Sequence, residues 1–295
     1  MNILAVVDIP NWAFDITFKD LRDQLTNEYS IAMDYKDWLG RRPPGVSYPY
    51  ADYDKVITST TRLKIDYPKS VYSTGICSYF WDYTKEAPPS DDIVKDAKQF
   101  KSIYVPSKSL YNHLASKDLD NIYYTPSGVD QNIFYPQKHL RPKVFTAGWV
   151  GNSNRTVKQI DVIKNACHKA NVELKLCEFG KPSRIKDRKM MAEYYNSLSI
   201  YINASTSEGE LKTIKEAMSC GVPVICTPVG CTPELIVQGE TGFVFNNGAQ
   251  ELTERLLYLK RNPSILSNMG DNALEQSKMF WWPNVLDYWR EFFNG

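Results

Sequence analysis

Short apolar runs, each long enough for one strand, alternate with longer amphipathic stretches along most of the chain, and that alternation admits few architectures. It is the pattern of βα units feeding a parallel sheet. Two series are visible. The first predicts strands over residues 3–8, 30–33, 55–59, 70–73 and 102–106, with helices near 14–26 and 109–116. The second predicts strands over 144–150, 173–178, 200–204, 222–227 and 243–245, with helices between them. A length of 295 residues suits two cores of ~100 to 200 residues each. Residues 135–142 hold two prolines and no apolar periodicity, which marks a linker. The expected division is therefore 1–140, 141–277 and a C-terminal crossover helix over 278–295.

That last segment carries Phe280, Trp281, Trp282, Leu286, Trp289, Phe292 and Phe293, too much aromatic surface for a helix left in water. A helix packed on its own domain fits the periodicity as well as a strap returning to the first domain. In a two-domain α/β protein the first domain is the expected cover.

Lys and Arg number 35 against 34 Asp and Glu, so a net charge of +1 provides no field for nucleic acid or an anionic membrane. No nucleic-acid partner is expected. Cys77, Cys167, Cys177, Cys220, Cys226 and Cys231 form no CxxC pair, and His113, His139 and His168 do not join them. A zinc site is not expected. The opening apolar run is short, ends at Asp8 and lacks a basic start, so it reads as a strand and not a signal peptide. No run reaches the ~20 apolar residues of a transmembrane helix. A cytoplasmic protein with reduced thiols is the expectation, with peripheral membrane contact the form of membrane association left open. The Arg41-Arg42 dipeptide is too short to claim such a patch.

The chemistry concentrates in residues 205–223, which read strand end, tight loop, helix, glycine stop and strand. Leu211, Ile214 and Met218 recur at helical spacing and Gly221 with Pro223 terminates them, predicting a helix over residues 209–219. Unpaired amides and the positive end of the dipole make its start suited to a phosphate. Glu208 stands at the mouth. Glu216 comes eight residues on, which in continuous helix is ~12 Å along the axis. Two carboxylates flanking an anion seat suit a nucleotide sugar, because each can accept hydroxyl hydrogen bonds.

Glu208 and Glu216, running on through Ala217, Met218, Ser219, Cys220, Gly221, Val222 and Pro223, resemble the Glu-x7-Glu signature of retaining glycosyltransferases of the GT-B fold, especially glycosyltransferase family four. The stretch from Thr227 through Gly230 to Glu234, and Gly239 to Phe245 beyond it, is similar to the loop and strand that come after the signature in that family. Pro126 to Asp130 resembles the close of the family's first domain. Gly148 to Lys158, with Gly151 and Arg155, resembles its first phosphate loop. The likeness is strong over residues 122–260 and weak before residue 100.

The resemblance implies an α/β GT-B fold, two Rossmann-like parallel-sheet domains facing each other across a cleft, with the C-terminal helix packing back toward the first. Glu208 would be the catalytic contact to the transferred sugar, and Glu216 would hold the ribose. Arg155 and Lys158 would neutralise the diphosphate, with Gly209, Leu211, Lys212 and Thr213 supporting the sugar and distal phosphate. The base would lie near residues 179–184. Asn11, Trp12, Asp15 and Glu234 are candidate acceptor or loop contacts. Two departures stand out. Glu210, Leu211 and Lys212 replace the usual aromatic-Gly pattern after the first Glu and its Gly, and residues 73–78 carry no His.

The expected activity is transfer of a hexose-type sugar from a nucleoside diphosphate donor to an acceptor hydroxyl of a glycan, lipid or small molecule, with retention. No cofactor or metal is expected, since cations and helix amides can stabilise the leaving diphosphate. Asp52-Tyr53-Asp54 has the DxD form of metal-dependent transferases but precedes a strand, so it reads as a solvated turn. The alternatives are a nucleotide-sugar epimerase or phosphorylase on the same fold, or a non-catalytic two-lobed binding protein.

Overall fold

A computed structural model of the chain describes residues 1–7, 13–36, 49–61, 63, 65–77, 91–246 and 248–295. The chain forms two compact units, residues 1–128 with 285–295, and residues 129–284. Each is built round one parallel sheet.

In the first unit β1 (Asn2–Val7), β2 (Ser30–Tyr35), β3 (Lys55–Thr58), β4 (Ser73–Gly75), β5 (Ile103–Val105) and β6 (Ile122–Tyr124) lie in the order β2-β1-β3-β4-β5-β6, every pair parallel. Four of the six coincide with predicted strands; the run predicted over 70–73 is mostly a 3-10 turn, Lys69–Val71, and β4 begins only at Ser73. The sixth, Ile122-Tyr123-Tyr124, is not expected from the sequence: it holds one aliphatic residue and two tyrosines, only partly buried. The helices are α1 (Ala13–Gln24), α2 (Asp91–Ala97) and α3 (Lys108–Ala115). Ser107 caps α3 by accepting from the Leu110 amide at 3.4 Å. Leu4, Val6, Val56, Ile103, Val105, Leu110 and Leu114 form the core on one side of the sheet. Asp52 lies in a single 3-10 turn and Asp54 accepts the Asn2 amide at 2.7 Å, tying the turn to the start of β1.

The second unit holds β7 (Thr146–Gly151), β8 (Glu173–Glu178), β9 (Ile200–Asn203), β10 (Val224–Cys226) and β11 (Gly242–Val244), parallel and in the order β11-β10-β9-β7-β8. Around them run α4 (Ile160–Lys169), α5 (Arg188–Asn196), α6 (Lys212–Ser219), α7 (Thr232–Leu235), α8 (Ala249–Arg261) and α9 (Pro263–Ser277). Ala147, Trp149, Ile163, Ile202, Ile225, Leu252 and Leu256 are wholly buried within this core.

The unit boundary lies at 128/129, where the sequence pattern put it near 140. Residues 129–141 are pinned to the second unit. Asn196 accepts the Gln137 amide at 2.7 Å and donates to the Tyr135 carbonyl at 3.0 Å. Arg141 Nη2 donates to the Cys220 and Gly221 carbonyls at 2.5 and 3.1 Å. A segment so tied is not a free hinge.

The last helix, α10 (Trp282–Asn294), begins in the second unit and ends in the first, as a strap would. Trp289 donates from Nε1 to the Pro126 carbonyl at 2.9 Å, and its ring meets Phe18 and Tyr104 edge-on or tilted. Phe293 meets Tyr29, and Phe292 meets Tyr104 and Tyr123. Lys55, buried, donates to the Phe292 carbonyl and, at 3.3 Å, to that of Phe293. Trp289, Phe292 and Phe293 are thus covered by residues of the first unit, while Phe280 stays with the second.

Candidate functional site

In the second sheet β7 and β9 are neighbours, and the chain builds outward from them in opposite directions, to β8 on one side and to β10 and β11 on the other. That is the topological switch point, where a crevice opens beyond the carboxyl ends of the strands. The loops leaving β7 and β9 meet there, stitched by the Thr206 amide donating to the Val157 carbonyl at 2.9 Å.

The loop after β7 is a run of turns. Asn152 accepts the Asn154 amide on its side chain at 3.0 Å and the Arg155 amide on its carbonyl at 3.1 Å. The Lys158 amide returns to the Arg155 carbonyl at 3.0 Å, and Gln159 turns into α4 with a left-handed φ of 47°. This folding throws the Lys158 side chain across to the loop after β9, where it pairs with Glu208; both side chains are largely buried. Arg155 is half-buried on the same loop, without an ion-pair partner among the described residues.

The helix predicted from residue 209 starts at Lys212 instead, with Leu211 as its N-cap. Gly209 and Glu210 stay non-helical because the Glu210 carboxylate is turned onto Lys215, 2.5 Å from its Nζ. The ~12 Å axial separation of Glu208 and Glu216 expected from continuous helix is therefore corrected. Only Lys212 to Glu216 is helical, a rise of about 6 Å. The start of α6 has no side-chain cap and no acid in its first turn. The Lys212 and Thr213 amides precede the first intrahelical bonds, at Ile214 and Lys215, and mark the positive end of the helix, where an anion is favoured.

Glu216 is half-buried and accepts the Tyr195 hydroxyl at 2.9 Å. Tyr195 is wholly buried, and burial first, with the Glu216 charge second, holds its phenol well above the usual range. It remains a donor and fixes the carboxylate, which has about four acceptor sites and keeps capacity for a ligand hydroxyl. Burial likewise raises Tyr201, and the charges of both Glu208 and Glu216 add to it. Both acids therefore lie near one buried phenol.

Sequence reasoning missed several supports. Gly230 adopts φ +58°, and a Cβ there would stand 3.3 Å from the Gly209 carbonyl oxygen and 3.4 Å from the Glu208 Cβ. It was legible as part of a motif, but its left-handed backbone was not. Tyr195 and Lys215 gave no signal as site residues. Glu234 lies in the first turn of α7, its carbonyl accepting Gln276 at 3.2 Å. Near the expected base position the Arg184 guanidinium stacks 4.2 Å from the centre of the half-exposed Phe179 ring, and the Phe179 amide donates to Gly151 at 2.7 Å.

Of the candidate acceptor contacts, Asn11 and Trp12 lie outside the described residues. Asp15 is buried in α1, its two oxygens accepting Lys19 Nζ at 2.7 Å and the Tyr35 hydroxyl at 2.8 Å. Among the described residues no three His, Cys, Asp or Glu side chains cluster as metal ligands would, and no helix is long and apolar enough to cross a membrane.

Residues 149–276 match the family described as glycosyl transferases group 1. A glycosyltransferase of Methanocaldococcus jannaschii, of uncharacterised activity, is 26% identical over 195 residues, covering 60% of this chain and 54% of its own. The chain thus spans about half the length of that relative and smaller shares of others. Among solved structures, sucrose-phosphate synthase from Thermosynechococcus elongatus superposes with a TM-score of 0.78 at 15% identity, covering all of both chains. Anabaena HepE in complex with UDP and glucose gives 0.73 at 12% identity over 99% of this chain and 98% of that one. At such identities the likeness carries the fold, and the fold is that of GT-B glycosyltransferases.

Proposed function

We propose that this chain, whose residues 149–276 match the group 1 glycosyl transferase family, moves a hexose-type sugar from a nucleoside diphosphate donor to an acceptor hydroxyl, with retention of anomeric configuration. The observation that carries the reading is the meeting of Lys158 and Glu208 beside the uncapped start of α6, with Glu216 four residues into that helix. A diphosphate brings roughly two negative charges, which a partly buried site holds only against cations and aligned donors. Lys158 has three N–H donors. Its pairing with Glu208 leaves donors for phosphate oxygens, and Arg155 stands on the same loop.

In this reading the distal phosphate meets the Lys212 and Thr213 amides, the sugar lies against Glu208, and the ribose hydroxyls meet Glu216. The related fold of HepE, solved with UDP and glucose, supports a nucleotide sugar as the donor class. Charge developing on the leaving diphosphate falls on Lys158, Arg155 and the helix amides. We assign the reaction a front-face course, in which the departing phosphate oxygen takes the acceptor proton while the acceptor oxygen bonds the same face of the anomeric carbon. No metal takes part in this scheme, so a chelator leaves the rate unchanged. The acceptor is a hydroxyl on a glycan, lipid or small molecule, and the working compartment is the cytoplasm.

A panel of nucleoside diphosphates and their sugars, screened by thermal shift, identifies the donor, because a tight ligand raises the midpoint with concentration. Acceptor-dependent release of nucleoside diphosphate, with the product anomer read by NMR, then tests transfer. A donor bound but never consumed would make this a two-lobed binding protein, and a changed sugar without transfer would make it an epimerase. A trapped glycosyl-enzyme adduct would contradict the front-face course.

A further inference from the structure

Lys215 is a lysine with no access to water, on the buried face of α6 beside Ile214 and Met218. Its Nζ sits 2.5 Å from Glu210 Oε1 and 4.0 Å from the centre of the Phe280 ring. Cys231, buried next to the pair, feels both charges, although burial is the main cause that pushes its thiol up to about 11. Cys231 comes directly after Gly230, where a Cβ would crowd Glu208 and the Gly209 carbonyl. One buried pair therefore joins three pieces: the loop carrying Glu208, the helix whose amides start at Lys212, and the loop after β10.

A buried ion pair adds little net stability over apolar groups of the same volume, because both ions must be desolvated. What such a pair can supply is one arrangement in place of several. Here that arrangement matters. Leu211 offers no side-chain cap, so the entry into α6 is not fixed in the ordinary way. Glu210, just before the helix, reaches Lys215 across its first turn and supplies the missing fixation.

We propose that the Glu210–Lys215 pair is a positioning device of the donor site, setting residues 208–211 so that Glu208 addresses the sugar while the Lys212 and Thr213 amides address the distal phosphate. This rests on the donor site proposed above. The pair acts on the sugar-phosphate end and not on the nucleoside end, where Glu216 is held separately by Tyr195.

The test compares wild type with the double variant Glu210→Leu/Lys215→Met, which replaces the pair by apolar groups, and with Glu210→Asp, which keeps the charge but shortens the reach. Transfer rates are measured with the donor found in the panel, and calorimetry with the matching nucleoside monophosphate. Both variants are expected to bind the monophosphate within about twofold of wild type, to unfold within a few degrees of it, and to lose at least tenfold in kcat. Wild-type kcat in a folded double variant would overturn the proposal, leaving the pair a matter of packing alone. Should the double variant fail to fold, Glu210→Asp decides: a kcat unchanged from wild type overturns it, and a fall with monophosphate affinity kept supports it. Failure of the donor reading is separate, since wild type would then neither bind nor consume any nucleotide sugar, and the proposal falls with it.

Discussion

The two units place a helix after a strand of a parallel sheet, yet they treat the positive helix start in opposite ways. In the first, α1 carries Asp15 in its own first turn, and Lys19 and Tyr35 balance that buried carboxylate. In the second, α6 has neither an acid in its first turn nor a side-chain cap, and the charges around its start are Lys212 and the pairs Lys158–Glu208 and Lys215–Glu210, with Glu216 further along. A helix start favours negative charge in either case. The first unit supplies that charge from its own chain, and in the donor site proposed above the second takes it from a ligand phosphate. On that reading the architecture repeats the helix start, and the side chains decide which one receives an anion.

The comparison is tested hardest at Glu208. Glu208→Gln should lower kcat by at least ~100-fold, the scale of losing a charge that acts on the reacting centre, while calorimetry finds nucleotide affinity little changed. A variant with near wild-type turnover would remove the catalytic role. Next in size, Glu216→Ala should weaken nucleotide binding by ~1.5 to 3 kcal/mol, the worth of hydrogen bonds to a charged acceptor. The loss should shrink for a nucleotide lacking its ribose 2′ and 3′ hydroxyls; an equal loss for both would place Glu216 elsewhere.

A smaller effect contrasts the lysines of the two units. Lys158 has a carboxylate partner, whereas Lys55 lies buried against helix carbonyls, and burial, with the Lys101 charge second, brings its pKa from 10.5 down to about 7. Between about 7 and 10.5 the unfolded chain holds a proton that the folded chain has released, so this group costs stability as pH falls through that window and the cost is complete below it. Relative to Lys55→Met, the wild-type unfolding midpoint should therefore rise between pH 7 and pH 10, by at least ~2 to 4 °C if ~1 kcal/mol is involved. Parallel midpoints would show that Lys55 keeps an ordinary pKa. Smallest of all, Asp15→Asn should leave nucleotide affinity within about twofold while lowering the unfolding midpoint, because Lys19 and Tyr35 lose a charged acceptor. A large loss of nucleotide affinity would mean that both units seat phosphate.

Much of this was legible before any coordinates. The five strands of the second sheet and four of the six in the first show in the sequence, most of them as apolar runs because central parallel strands are buried on both faces, whereas β4, Ser73–Gly75, has no apolar side chain to mark it. The aromatic run from Phe280 to Phe293 announces a covered segment. Glu208 and Glu216 could be proposed from residue type and spacing, and Lys158 from the resemblance of its loop to the family's phosphate loop. What stayed hidden depends on contacts distant in sequence. The start of α6 moved to Lys212 because Glu210 turns to Lys215, a residue whose charge argued for solvent although it lies four residues after Leu211 and three before Met218 on the apolar stripe. Tyr195 reaches Glu216 from another helix, and nothing in its own neighbourhood signals that. The linker read as free because prolines mark a break, and the hydrogen bonds of Asn196 and Arg141 that anchor it come from residues ~60 to 80 positions away or reach that far.

The central claim is that a diphosphate seats beside Lys158 at the start of α6. Calorimetric titration of the nucleoside diphosphate chosen by the panel, into wild type and Lys158→Met, tests it directly. One site is expected in wild type, with at least tenfold weaker binding in the variant, about 1.4 kcal/mol or more. Equal affinity in the two proteins, or no nucleoside diphosphate bound by wild type, would contradict it.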